Sequence, residues 1–268
     1  MRQRKTDLKL ELKKYFMETF INYARHVTFF LVSILSYSFI FLLFFAFINF
    51  KVGLLLFLCL FLISFISLII LPFYKYRSRK GDLSKKQIFN LIVKRAIDLI
   101  ISVSMSITVL PLLIIIGLLI KLDSPGPIIY KRYCLGLNRH PFYLYKFRTL
   151  YIDSEHDPKV TRVGMVLRKT SLNELPQIIN ILLGDMSLVG PRALLPEDID
   201  YLEPNQYRRF SFPPGLTGLW QISTITQNSN FEDMINLDLY YVDNWSLLKD
   251  LILLLKTPLV VFSSKQSV

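Results

Sequence analysis

Cysteine is nearly absent from this 268-residue chain, which has two, Cys59 in an apolar run and Cys134 in an expected strand, so no disulfide framework or CxxC metal spacing exists. Glycine is scarce, at 10 residues, and neither GxGxxG nor a Walker-type loop occurs, which removes the common phosphate-cradling turns. His26, His140 and His156 are scattered and no GxSxG elbow accompanies them, so a Ser/His hydrolase has no support. Acidic residues are outnumbered, 20 against 32 lysines and arginines, for a net charge of +12. Those cations crowd the ends of apolar segments, where anionic head groups attract them, so membrane lipids rather than nucleic acid are the expected partner.

What the chain has in excess is apolar: hydrophobic residues make up 52%, with 21 phenylalanines, concentrated in the first half. Residues 1–26 are basic and amphipathic, with Leu8, Leu12, Tyr15, Phe16 and Phe20 beside Lys9, Lys13 and Lys14, as an interfacial helix or a packing face would be. Residues 27–74 hold two apolar runs, 27–50 and 52–74, each long enough to span the hydrocarbon core, separated by Asn49, Lys51 and Gly53. Seven lysines or arginines precede the first run and eight lie between Lys75 and Arg95, which places both flanks in the cytoplasm. A basic linker is expected at 75–93.

The next segment, 94–121, is apolar but holds Asp98, four hydroxyl residues in its first half and Pro111 near its middle, with cations at both ends. Cations on both sides oppose a crossing, and Pro111 removes a helix hydrogen bond and kinks the axis. The expectation is a kinked re-entrant membrane helix, with a straight third span as the alternative. Residues 122–268 read as a soluble domain. A hairpin is expected from the strand-rich runs 128–133 and 142–147 around LGLNRHP, then an acidic loop at 153–158 that suits a solvated turn or a cation, and finally an apolar, Lys- and Pro-interrupted helix at 245–262 lying along the interface. Asp198-Ile199-Asp200 matches a DxD metal pattern but equally a polar helix face. The fold class expected is therefore a membrane-associated, helix-rich α/β protein: a transmembrane helical hairpin, a re-entrant helix, and a cytosolic domain with interfacial amphipathic helices.

The densest chemistry lies at 168–192, RKTSLNELPQIINILLGDMSLVGPR. Ser171 with Glu174 three residues on forms a capping-box pattern, with Asn173 competing as the N-cap because Pro176 is tolerable only in a first turn. A helix is thus expected from about residue 172 to Leu183, ended by Gly184. Its start, with Arg168 and Arg192 nearby, suits a phosphate, and Glu174 suits a hard cation bridging the phosphate oxygens; Glu174 as a capping residue alone is the competing reading.

From about Lys94 to Thr257 the words DSPGP (123–127), YKFRT (145–149), TRVG (161–164), LRKTSLNELPQ (167–177), GDMSLVGPR (184–192), PGLTGLWQ (214–221) and LDLYYVDNWSLLKDL (237–251) follow one another. In these the chain resembles the bacterial sugar transferase family, the monotopic phosphoglycosyl transferases. The resemblance implies a bacterial inner-membrane enzyme facing the cytoplasm that moves a sugar 1-phosphate from a UDP-sugar to undecaprenyl phosphate, releases UMP, and so initiates exopolysaccharide, capsule or O-antigen assembly. It also implies a re-entrant helix kinked at Pro111, an Asp-Glu pair whose Asp attacks phosphorus, Glu174 as the ligand of Mg2+, and Arg168 and Arg192 as phosphate-binding residues. A homo-oligomer is compatible with it.

The departure lies at the nucleophile. Asn173 stands at the family's Asp, and a neutral amide caps a helix as well as Asp does but cannot form an aspartyl phosphate. Arg132 and Cys134 stand where Gln and Arg are usual, and STIT at 223–226 replaces a usual Gly-Arg. Asp185 keeps its family position at the far end of the helix. An active transferase using another route, a nucleophile-less form that binds UDP-sugar or lipid, and a scaffold of a glycan-assembly complex all fit this pattern.

Overall fold

A computed structural model describes residues 85–152, 159–223 and 230–263, all within a compact unit spanning Lys75–Val268. The expected basic N-terminus, the paired transmembrane runs and the acidic loop lie outside the described residues.

The first described element, α1, is one helix of 39 residues, Lys85–Asp123, with Pro111 inside it. It takes in residues 85–93, which the composition had suggested as linker, because Leu91 begins a buried stripe whose packing outweighs the mixed helix propensity of KKQIFNLIV. That stripe continues through Lys94, Arg95, Asp98, Leu99 and Ser102 at helical spacing. From Val103 to Ile115 no residue is buried, and burial returns at Ile116 and Ile120. Both ends of α1 therefore pack on the folded domain while its middle is largely exposed, with Met105 and Leu113 in partial contact with the core. Ser104, Ser106 and Thr108 donate to the carbonyls of Ile100, Ser102 and Ser104 at 2.9, 2.7 and 3.0 Å, which satisfies their hydroxyls within the helix itself. Among the described residues, 89–123 form the one helix long and apolar enough to cross a membrane.

The polar residues at the start of α1 turn inward instead of out to head groups. Lys94 Nζ donates to Asp250 at 2.6 Å and to the Val189 carbonyl at 2.8 Å. Arg95 donates to the Ile181 and Leu182 carbonyls at 2.6 and 3.1 Å. Asp98 accepts from the Ser187 hydroxyl at 2.7 Å and the Leu188 N–H at 3.0 Å. Lys94 and Arg95 are thus internal counter-charges, not part of the surface positive charge counted for topology.

The hairpin forms as expected, β1 (Ile129–Leu135) antiparallel to β2 (Pro141–Phe147), with Arg132 opposite Leu144 and Cys134 opposite Phe142. Side chains alternate across the ladder, so Arg132, Cys134, Leu144 and Lys146 share one face, while Tyr133, Tyr143 and Tyr145 share the other. Helix α2, Arg162–Lys169, is capped by Thr161, whose hydroxyl accepts from the Gly164 N–H at 2.9 Å.

Here the sequence reading needs correction. Ser171 does not cap the following helix; it adopts the left-handed conformation, φ 56°, and its N–H donates to the Arg168 carbonyl at 3.2 Å, so it ends α2. A 3-10 turn, Leu172–Glu174, follows, and α3 begins only at Gln177, running to Leu183 before left-handed Gly184, φ 78°. The capping-box pattern misled because a left-handed terminator and an N-cap draw on the same small polar residues.

After α3, β3 (Ser187–Val189) pairs in parallel with β4 (Gly215–Thr217), which is followed by a short helix α4, Leu219–Ile222. The two strands cross so closely that a Cβ on Gly215 would lie 2.1 Å from the Gly190 nitrogen, which is why both words carry glycine. Between them run the 3-10 segments Pro196–Tyr201 and Pro204–Ser211. Helix α5, Phe231–Asp243, starts at Asn230, whose side chain accepts from the Asp233 N–H at 2.8 Å; α6, Leu247–Ser263, contains Pro258. Asp250 of α6 gathers Lys94, the Tyr241 hydroxyl at 2.7 Å and the Trp245 indole N–H at 3.1 Å. Ile181, Leu188, Val189, Tyr241 and Leu253 form the core beside this knot, and Ile116 and Ile120 of α1 form another with Phe147 and Leu167.

Candidate functional site

A cleft of about 190 Å3 opens between the inward face of the hairpin, the Leu172–Glu174 turn and the segment after β3. Arg132 and Lys146 enter it from β1 and β2, Glu174 from the turn, and Arg192, Asp198 and Gln221 from the later words. Glu174 accepts from Lys146 Nζ at 2.5 Å, with the two side chains 29% and 18% exposed, so the pair is shielded but still reachable.

Arg192 is held by its backbone. Its N–H donates to both Asp238 oxygens at 3.3 and 3.2 Å, and its carbonyl accepts from Arg209 at 2.7 Å, leaving the side chain free to project into the cleft. Arg209 also pairs directly with Asp238, both almost wholly buried. Burial pushes the Asp238 carboxyl up from its ordinary value, and Arg209 pulls it back. Asp198, the first acid of the DxD pattern, accepts from the Leu195 N–H at 2.8 Å within its 3-10 segment. Cys134 lines the cleft, yet burial pushes its thiol up to about 11 against the pull of Arg132 and Lys146, so at neutral pH it is a thiol and no nucleophile.

Of the residues singled out from the sequence, Glu174 and Arg192 meet in this cleft. Asn173 is half-buried in the turn beside Glu174 and is not among the cleft-lining residues. Arg168 lies at the end of α2, donating to the Thr149 hydroxyl at 3.0 Å, and is not among the cleft-lining residues. Pro111 belongs to the largely exposed middle of α1. Lys146 and Arg132 were missed as site residues. Their signal was parity: each shares its strand face with buried residues, Phe142 and Leu144 for Lys146 and Cys134 for Arg132, and a cation on the buried face of a strand is out of pattern. Arg148, in the same word as Lys146, is structural: it donates to the Pro127 and Ser124 carbonyls at 2.7 and 2.9 Å and locks the DSPGP turn to β2.

As a metal site the cleft is sparse. Among the described residues no three His, Cys, Asp or Glu side chains converge, and the cleft offers two carboxylates, Glu174 and Asp198. That donor set fits a hard cation such as Mg2+ that takes one or two carboxylates and completes its shell with substrate phosphate and water, not a cage made by protein alone. Three cations against two anions leave the lining net positive, as an anionic substrate requires.

Together these elements define a helix-rich α/β protein built on one long apolar helix, with a cation-lined cleft in its folded domain. The family described as bacterial sugar transferase matches residues 89–264, a stretch that contains Pro111, Arg168, Asn173, Glu174 and Arg192, and the chain belongs to that family. The exopolysaccharide production protein PSS of Rhizobium leguminosarum bv. phaseoli is 37% identical over 60% of this chain and 91% of its own length. The UDP-glucose:undecaprenyl-phosphate glucose-1-phosphate transferase of Caulobacter vibrioides is 37% identical over 61% of this chain and 67% of its own. The Escherichia coli protein of the same name is 34% identical over 66% of this chain, a match covering 41% of that longer protein.

Proposed function

We propose that this chain is a phosphoglycosyl transferase that moves a sugar 1-phosphate from a UDP-sugar to undecaprenyl phosphate, at the cytoplasmic face of a bacterial inner membrane, to begin an exopolysaccharide, capsule or O-antigen glycan. The observation that carries this reading is the meeting of Glu174, Lys146, Arg132 and Arg192 in one cleft inside the family-matched region. The cations would bind the diphosphate, and Glu174 would hold a Mg2+, which would supply charge neutralisation for the leaving UMP. Arg168, in the last turn of α2 just before the Leu172–Glu174 turn, would be a further phosphate-binding residue.

Asn173 gives a second reading its support: without a carboxylate at that place the chain binds UDP-sugar and lipid but does not turn over. UMP release from a panel of UDP-sugars with undecaprenyl phosphate and Mg2+ separates the two. Release with any of them supports transfer, and none, with UDP-sugar binding intact, supports the binding form.

The re-entrant placement of α1 belongs to the same proposal. Lys94 and Ile120 are 26 residues apart, about 39 Å along a straight helix, which exceeds the roughly 30 Å hydrocarbon core. Yet both ends pack on one folded domain while the middle is largely exposed. A helix that dips at Pro111 and returns lets one cytoplasmic domain hold both ends; a straight span does not. A cysteine placed at exposed Lys131, with Cys59 and Cys134 changed to serine, is expected to react with a membrane-impermeant maleimide only from the cytoplasmic side. Reaction from outside would overturn this topology. The exposed Leu248, Leu251, Leu255 and Leu259 of α6 fit an interfacial helix beside it.

A further inference from the structure

The Lys146–Glu174 pair poses a question that the proposed chemistry does not answer. If Glu174 is to hold a divalent cation, its carboxylate already has one cation on it, at 2.5 Å, and Arg132 and Arg192 line the same cleft. The remaining carboxylate, Asp198, is engaged by the Leu195 N–H. A bare divalent ion would have to share the Glu174 carboxylate with an ammonium, or displace it, and enter a net positive lining for the sake of one carboxylate. A diphosphate reverses that balance. It brings acceptors for Lys146, Arg132 and Arg192 and oxygen ligands for the metal, which then needs only Glu174 from the protein.

The residue type fits the hand-over. Lys146 carries a point charge on a flexible stem, so it can leave Glu174 for a phosphate oxygen by rotamer change, whereas an arginine fork would grip the carboxylate at two oxygens. Lys146 stands on β2, a paired strand, so its stem moves about a fixed base.

We propose that Lys146 is a positioning residue that holds Glu174 until a nucleoside diphosphate arrives, so that a divalent cation binds this cleft only together with the nucleotide. The proposal rests on the metal role assigned above to Glu174. By linkage, UDP then raises the affinity for the metal and the metal raises the affinity for UDP by the same factor.

The test is Mn2+ binding to the full chain in detergent micelles, followed by electron paramagnetic resonance with and without UDP and corrected for Mn2+ bound to free UDP. In the unaltered protein UDP is expected to raise Mn2+ affinity by on the order of 10- to 100-fold. Lys146→Met, which removes the charge and keeps the bulk, is expected to bind Mn2+ alone about 10-fold more tightly and to lose most of the coupling. Lys146→Arg, which keeps the charge, is expected to keep Mn2+ weak in the nucleotide-free protein. Equal Mn2+ affinity with and without UDP in the unaltered protein, or no gain in Lys146→Met, overturns the proposal. Glu174→Gln is read separately: loss of Mn2+ with and without UDP supports the metal role, so that a failed Lys146→Met result then overturns the gating alone, whereas retention of unaltered affinity overturns the metal role and the gating with it.

Discussion

Asn173→Asp is expected to raise the rate of UMP release by on the order of 10^3- to 10^6-fold, the range over which enzymes lose rate when a covalent nucleophile is removed. The change swaps an amide for a carboxylate of the same shape, and Asn173 is half-buried in a 3-10 turn whose bonds are backbone bonds, Glu174 N–H to Ser171 and Leu175 N–H to Leu172 at 3.1 and 3.2 Å. The turn therefore survives the exchange, and what is added is a charge next to Glu174 that can attack phosphorus and form an aspartyl phosphate. The measurement is UMP production by both forms under identical detergent, lipid and Mg2+ conditions, with phosphoprotein trapped by acid quench. Equal turnover by both forms, without a phosphoprotein, would remove the covalent aspartate from this chain's chemistry and make Glu174 and Asp185 the carboxylates to test.

Asp250→Ala is expected to destabilise the folded domain by about 3–5 kcal/mol, the usual cost of stripping one partner from a buried ion pair. Lys94 would be left charged at 4% exposure, and the Tyr241 hydroxyl and Trp245 indole would lose the acceptor they share. Denaturant unfolding of the purified protein, followed by tryptophan fluorescence, reads this directly, since Trp245 is itself part of the knot. Replacing both charges together, Lys94→Met with Asp250→Leu, is expected to recover most of the loss, because no unpaired charge remains. If Asp250→Ala alone unfolds no more easily than the parent, the knot is not what binds α6 to α1. The exposed pair Arg208–Asp243, at 3.0 Å with both side chains 46% exposed, is the contrast: removing Asp243 is expected to leave the unfolding midpoint unchanged.

Much of the site was legible because its words are contiguous. Glu174, Arg192 and the hairpin announce themselves through local pattern, and the hairpin forms with the strands expected. What could not be read was anything that depends on distance along the chain. Lys94 pairs with a residue 156 positions away and Asp98 with partners 89 and 90 away, so both looked like head-group or helix-start residues until the fold brought Asp250 and Ser187 to them. Lys146 was hidden for a different reason. Its partner is 28 residues off, and only the strand's alternation hinted that it faces inward. The misplaced start of α3 shows the limit of local rules themselves, since Ser171 satisfies two of them and the backbone chose termination.

The knot between α1 and α6 bears on how the protein is made. Synthesis delivers Lys94 long before Asp250, so the newly made α1 presents its lysine, arginine and aspartate before their later partners exist. Unpaired, the three charged groups favour water over apolar surroundings and hold the N-terminal end of α1 there. Only when the last helix has emerged does the domain close over them. The same charges that anchor the finished fold thus first keep their end of α1 in water, and a chain truncated before α6 would keep that preference while losing the closure.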